Sequence, residues 1–117
     1  MSMALKIDVA RAAEADGTNK PVDLVHLSTQ TMGDPELEKQ VLAIFTAQAD
    51  IYVKAWKAAG GAEGRRRAAH SLKGAARGIG AWSLAEFAAK AEKPGFSGIK
   101  ALEAELARVC DYIHSLD

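Results

Sequence analysis

The chain has 117 residues, enough for one domain with a modest core that needs neither disulfides nor a metal staple. Fifteen basic and fifteen acidic residues give a formal net charge of +0, which argues against a general nucleic-acid binder and leaves any charge-based function to local clustering. An apolar content of 49% with three prolines and one cysteine argues against wholesale disorder, excludes an internal disulfide, and favours an all-helical protein.

In chain order, residues 1–20 form a weakly patterned arm. The stretch ALKIDVARAAEA reads as a short helix, and ADGTNKP as the linker that ends it. Residues 21–117 carry the patterned domain. VDLVHLSTQTM predicts a short helix or turn packed by Leu24, Leu27 and Met32. A long helix follows, with Asp34 as N-cap, Pro35 at its first position, and Glu36 and Glu38 near the positive end of the dipole. Leu37, Val41, Ile44, Phe45, Tyr52, Ala55 and Trp56 recur at three- and four-residue spacing and predict its buried stripe. Gly60-Gly61 stops it.

The next helix runs from about Ala62 to Ile79 and breaks at Gly80. SLAE predicts a capping box, with Ser83 as N-cap and Glu86 reaching back. That helix carries Leu84, Phe87, Ala88 and Ala91 and ends at Pro94-Gly95. Ser97 is the expected cap of a last helix bearing Ile99, Leu102, Leu106, Val109, Cys110 and Ile113. Short connections between long amphipathic helices predict an all-α, antiparallel up-and-down four-helix bundle with a short N-terminal accessory helix or arm. A single cysteine fits the reducing cytoplasm, which is the expected compartment, and no apolar run reaches the ~20 residues that span a membrane.

The stretch AAHSLKGAARGIGA concentrates the chemistry. On a wheel of ~100° per residue, Ala68, Ala69, Ala75, Ala76 and Ile79 fall within roughly 60° of Leu72 and form the buried stripe. His70 falls roughly 160° away, on the solvent side. Lys73 and Gly74 lie three and four residues beyond it, neighbours on the helix surface. Arg77 is one turn further, Gly78 borders it, and Arg66 and Arg67 flank the other side. Two mid-helix glycines cost about 2 kcal/mol relative to alanine. Bare backbone beside an exposed imidazole leaves room for a bulky group on that ring, or for a partner surface. The chemistry suits phosphate: a neutral imidazole is nucleophilic, and phosphoryl transfer needs an aligned nucleophile with positive charge near the equatorial oxygens. Lys73 and Arg77 are the expected charges. No Asp or Glu lies between Arg65 and Leu84, so a metal is expected to come with the partner. Gln48 has two open readings, a buried polar contact or an approach to the histidine region. Gly78 likewise extends the clearance or loosens the helix ahead of Gly80. His26, His114, Cys110, Trp56, Trp82 and Phe87 read as ordinary packing or surface residues.

The run from His70 to Ala81 resembles the signature of the histidine-containing phosphotransfer (HPt) domain, His-x-x-Lys-Gly followed by small residues and an apolar-Gly-Ala ending. VDLVHLSTQTMGDPELEKQVLAIFTAQA is similar to that family's first helices, and LAEFAAKAE to its helix after the motif, so the likeness covers roughly Val22 to the C-terminus. The resemblance implies a phosphoryl carrier without its own ATP-binding site, not an enzyme in its own right. His70 is then the phosphoacceptor, Lys73 the nearby cation and Gly74 the access residue, while Arg77 departs from the small or polar residue common at its position. The implied partners are response-regulator receiver domains and a sensor or hybrid histidine kinase. Neither nucleic acid nor membrane is implied, and the chain is expected to be a monomer. No cofactor is implied for this chain, and Mg2+ is expected in the partner receiver. Two alternatives stand beside it: a degenerate HPt-like docking protein that binds receivers without carrying phosphate, and a sensor-kinase dimerisation domain. Ser71 and the absence of proline between His70 and Pro94 argue against the second.

Overall fold

A computed structural model describes residues 20–116, in which five α-helices and no strands are found. They are α1 (Leu24–Gln30), α2 (Pro35–Ala58), α3 (Ala62–Gly78), α4 (Trp82–Ala91) and α5 (Ile99–Ser115). The arm expected at residues 1–20 lies almost wholly outside the described residues, as does Asp117. The four longer helices pack in the order α2, α3, α4, α5, with α5 also meeting α2. Among the described residues no helix is long and apolar enough to cross a membrane.

Local chemistry accounts for most boundaries. Asp34 caps α2 as expected, its carboxylate accepting from the backbone N–H groups of Glu36 and Leu37, with Pro35 at the first helical position. Helix α3 ends in a Schellman motif: Ala81 N–H donates to Ala76 O at 2.8 Å and Gly80 N–H to Arg77 O at 3.1 Å. Gly80 holds φ +78°, a left-handed conformation that costs an L side chain dearly. Asp23 locks this corner from the other side. Its backbone N–H donates to Gly80 O at 2.9 Å, and its carboxylate accepts from the Trp82 indole at 3.0 Å and from the His26 backbone N–H at 3.1 Å. Partial burial raises the Asp23 pKa, but the surrounding donors, the Trp82 indole and the backbone N–H groups of His26 and Val25 among them, together outweigh it and leave the carboxyl below its ordinary value.

Two predicted caps are corrected. Helix α4 begins at Trp82 with Ala81 as N-cap, so Ser83 is already inside the helix and SLAE forms no capping box. The Schellman turn is the reason: it delivers the chain in helical register early, and Ala85 N–H bonds Ala81 O at 2.9 Å. Helix α5 starts one residue later than Ser97 would cap it, with Gly98 as N-cap and Leu102 N–H on Gly98 O at 3.0 Å.

The core joins Leu42, Phe45, Ala49 and Val53 of α2 to Ala69, Leu72 and Ala76 of α3, Leu84, Ala88 and Ala91 of α4, and Leu102, Val109 and Ile113 of α5. Val22, Leu24 and Leu27 close one end. Of the stripe expected on α3, Ala68, Ala69, Leu72, Ala76 and Ile79 are buried and Ala75 is half-buried. The stripe of α2 is rotated from the expected one: Ile44 is 56% exposed and Ala55 is exposed, whereas Leu42, Ala49 and Val53 face inward. Apolar residues surround much of this helix, so periodicity alone does not choose which face meets α3 and α5. Met32, expected against Leu24 and Leu27, is 89% exposed in the turn before α2.

Candidate functional site

The imidazole of His70 projects from the middle of α3 with 65% of its side chain exposed, as the wheel predicts. A Cβ added at Gly74 would meet nothing within 4 Å, and the same holds at Gly78. The surface beside and below the ring is therefore open backbone. The exposed Arg77 lies beyond it, with no ion-pair partner among the described residues.

Lys73 departs from the solvent-facing position expected of it. Only 18% of its side chain is exposed, and its ammonium is ion-paired with Glu92 Oε2. The other carboxylate oxygen, Oε1, lies 3.4 Å from His70 Nδ1. Glu92 thus joins the two motif residues through one carboxylate. No acidic residue lies between Arg65 and Leu84 in the sequence, but one reaches His70 in space, because Glu92 arrives from the end of α4. The hydrogen bond from Lys73 holds the Glu92 carboxyl below the ordinary carboxylate range against the opposing effect of burial. It is therefore ionised at neutral pH. Its contribution to stability is present above the unfolded-state pKa and is lost as pH falls through the lowered folded value.

The position of Glu92 is a consequence of chain geometry. The chain turns back at Gly80, with α3 packed on α4; His70 is ten residues before that turn and Glu92 twelve after it. Counting outward from the turn was the signal that could have revealed the pairing. Truncation at Lys73 should be felt mildly in the fold. Lys73→Ala is expected to lower stability by about 1–2 kcal/mol, the scale of a hydrogen bond to a charged group, and thermal denaturation checks it.

The remaining cations are less available than the sequence suggests. Arg66 is engaged by Glu63 at 2.7 and 3.1 Å, while Arg65 lies over the Trp56 ring at 5.7 Å. Gln48 resolves toward the surface. It is exposed and lines a groove of about 310 Å³ with Ile44, Phe45, Ala75, Gly78 and Ile79, on the stretch of α3 that follows His70 and Gly74. His26 packs edge-on against Trp82 at 4.9 Å, and His114 is exposed in the last turn of α5. No group of three His, Cys, Asp or Glu side chains suited to a metal ion is found among the described residues.

The fold and this histidine–lysine–carboxylate cluster define a helical module with an accessible imidazole in a charged setting. The family model described as Hpt domain matches residues 36–116, and the chain belongs to that family. Hpt domains are phosphocarrier modules of two-component signalling, not ATP-binding enzymes, and they interact with two-component kinases and response-regulator receivers. No curated protein and no solved structure is significantly similar to the chain.

Proposed function

We propose that this protein is a phosphorelay carrier built as an antiparallel up-and-down four-helix bundle, in which His70 accepts a phosphoryl group from a receiver aspartate or a kinase and passes it to another receiver. The observation that carries the reading is the orientation of the ring. Nδ1 faces the ionised Glu92 carboxylate, which favours the tautomer with the proton on Nδ1. The lone pair then resides on Nε2, the other ring nitrogen of a largely exposed side chain.

The chemistry follows from that placement. Nε2 attacks the phosphorus of an aspartyl phosphate; the N–P bond forms as the bond to the carboxylate oxygen breaks, and the aspartate leaves as its anion. The proton remains on Nδ1, where the Glu92 carboxylate balances the positive charge that the ring acquires. Lys73 and Arg77 supply cationic charge close to the phosphoryl oxygens, and the Mg2+ that such a transfer uses comes with the receiver. The reverse sequence discharges the carrier onto the next receiver.

Gly74 provides the test of access. Gly74→Gln is expected to raise helix stability by up to about 1 kcal/mol, since its Cβ meets open space. The same side chain crowds the approach to the imidazole, so transfer from a phosphorylated receiver is expected to slow on the order of 10- to 100-fold. Rapid-quench measurement of transfer, beside thermal denaturation, separates the two effects. Unchanged transfer in a stabilised variant would remove the glycine from the site.

A further inference from the structure

The carboxylate of Glu92 acts on His70 only if it is held in place, and Glu92 is the C-cap of a short helix followed by a loop. Helix α4 leaves its final carbonyls to be satisfied from outside its own ladder. Ala88 O and Ala89 O take the Glu92 N–H, and Lys90 O takes the Lys93 N–H. The carbonyl of Ala91, adjacent to Glu92, accepts instead from the indole Nε1–H of Trp56 at 3.2 Å. Trp56 lies in the last turn of α2, 35 residues earlier.

The same indole also holds the far end of the turn. Lys93-Pro94-Gly95-Phe96 closes with Phe96 N–H on Lys93 O at 3.3 Å and Gly95 at φ +83°, as a proline–glycine type II turn requires. The Phe96 ring then packs edge-on against Trp56, with centroids 6.0 Å apart and planes at 89°. Arg65 of α3 covers the indole at 5.7 Å. Residues on both sides of Glu92 are therefore tied to one half-buried side chain.

We infer that Trp56 is a positioning residue of the phosphotransfer site: by holding Ala91 O and Phe96 it fixes Glu92 between Lys73 and His70, and so sets the tautomer of the nucleophilic ring. The inference rests on the proposed role of Glu92 and His70, and the experiment separates the two. The imidazole 15N shifts of His70 report its tautomer at a pH of about 8.5, above the ordinary histidine range near 6.5. The wild type, Glu92→Gln, Trp56→Phe and Trp56→His are compared, each with its thermal unfolding curve and its rate of phosphate uptake from a phosphorylated receiver.

The wild type is expected to hold the proton mainly on Nδ1, and Glu92→Gln to lose that preference. Trp56→Phe keeps an aromatic ring against Phe96 but removes the donor. It is expected to shift the tautomer balance toward that of Glu92→Gln and to slow uptake about three- to tenfold, with a cooperative unfolding transition retained. Trp56→His returns a ring N–H to the same region and is expected to recover much of the wild-type balance. A folded Trp56→Phe with the wild-type tautomer and rate, while Glu92→Gln has lost both, would overturn the role of Trp56 alone. No tautomer change in Glu92→Gln would overturn the underlying role of Glu92 as well. Loss of cooperative unfolding in both Trp56 variants would make the residue a packing element and likewise overturn the inference.

Discussion

His70→Gln is expected to take up no acid-labile phosphate from a phosphorylated receiver, while it folds and binds that receiver as the wild type does. Glutamine retains bulk and polarity but has no nucleophilic ring nitrogen. Removal of a nucleophile typically costs a thousandfold or more, which here means a fall to background. The fold should be indifferent, because the side chain is largely exposed and its one polar contact among the described residues, to Glu92, is long at 3.4 Å. The other described histidines offer no substitute: His26 is packed against Trp82, and His114 stands at the end of α5 without the lysine and carboxylate. Transfer assays with labelled receiver and a parallel binding titration read the two halves of the prediction. Label that persists in the variant would move the phosphate elsewhere. A wild type that binds the receiver but never carries label would make the chain a docking protein.

The second large effect is on stability and turns on two glycines six residues apart. Gly80→Ala is expected to destabilise the fold by about 2–4 kcal/mol, combining the left-handed backbone penalty with steric strain. The added Cβ would lie 2.8 Å from Asp23 Cβ, 3.0 Å from Asp23 O and 3.2 Å from Asp23 N. Two of those atoms are backbone, and that backbone already bonds Gly80 O, so relief requires the corner between α3, α4 and the N-terminal segment to open. Gly74→Ala is expected to have the opposite sign, a gain of about 0.5–1 kcal/mol, because its helical backbone is ordinary and the space is empty. Chemical denaturation of the two variants against the wild type checks both. Equal effects would mean that Gly80 does not bind the corner as its geometry implies.

The contrast explains how much of the molecule was legible in its sequence. Signals carried by neighbouring residues read true: Asp34-Pro35 opens α2, Gly60-Gly61 separates α2 from α3, and Gly80 ends the helix that bears His70. The alanine stripe around Leu72 also faced inward as its spacing required. What went astray depended on partners distant along the chain. Ser83 resembles a cap locally, but the turn locked by Asp23 had already started the helix. Ile44 and Phe45 are adjacent and both apolar, and only contact with the other helices shows that Phe45 is buried and Ile44 exposed. The same limit applies at the site. His70, Lys73 and Gly74 are close in sequence and fell on one surface, whereas Glu92 belongs to another helix end and reverses the surroundings of Lys73 from solvent to a carboxylate.

The most direct measurement is to locate the phosphoryl group on the wild-type chain. After incubation with a phosphorylated receiver, 31P and 15N NMR of the isolated protein should show one acid-labile phosphate per chain, bonded to Nε2 of His70. Phosphate on Nδ1, on any other residue, or on none under conditions where the receiver loses its own would contradict a ring held by Glu92 with its free nitrogen toward the partner.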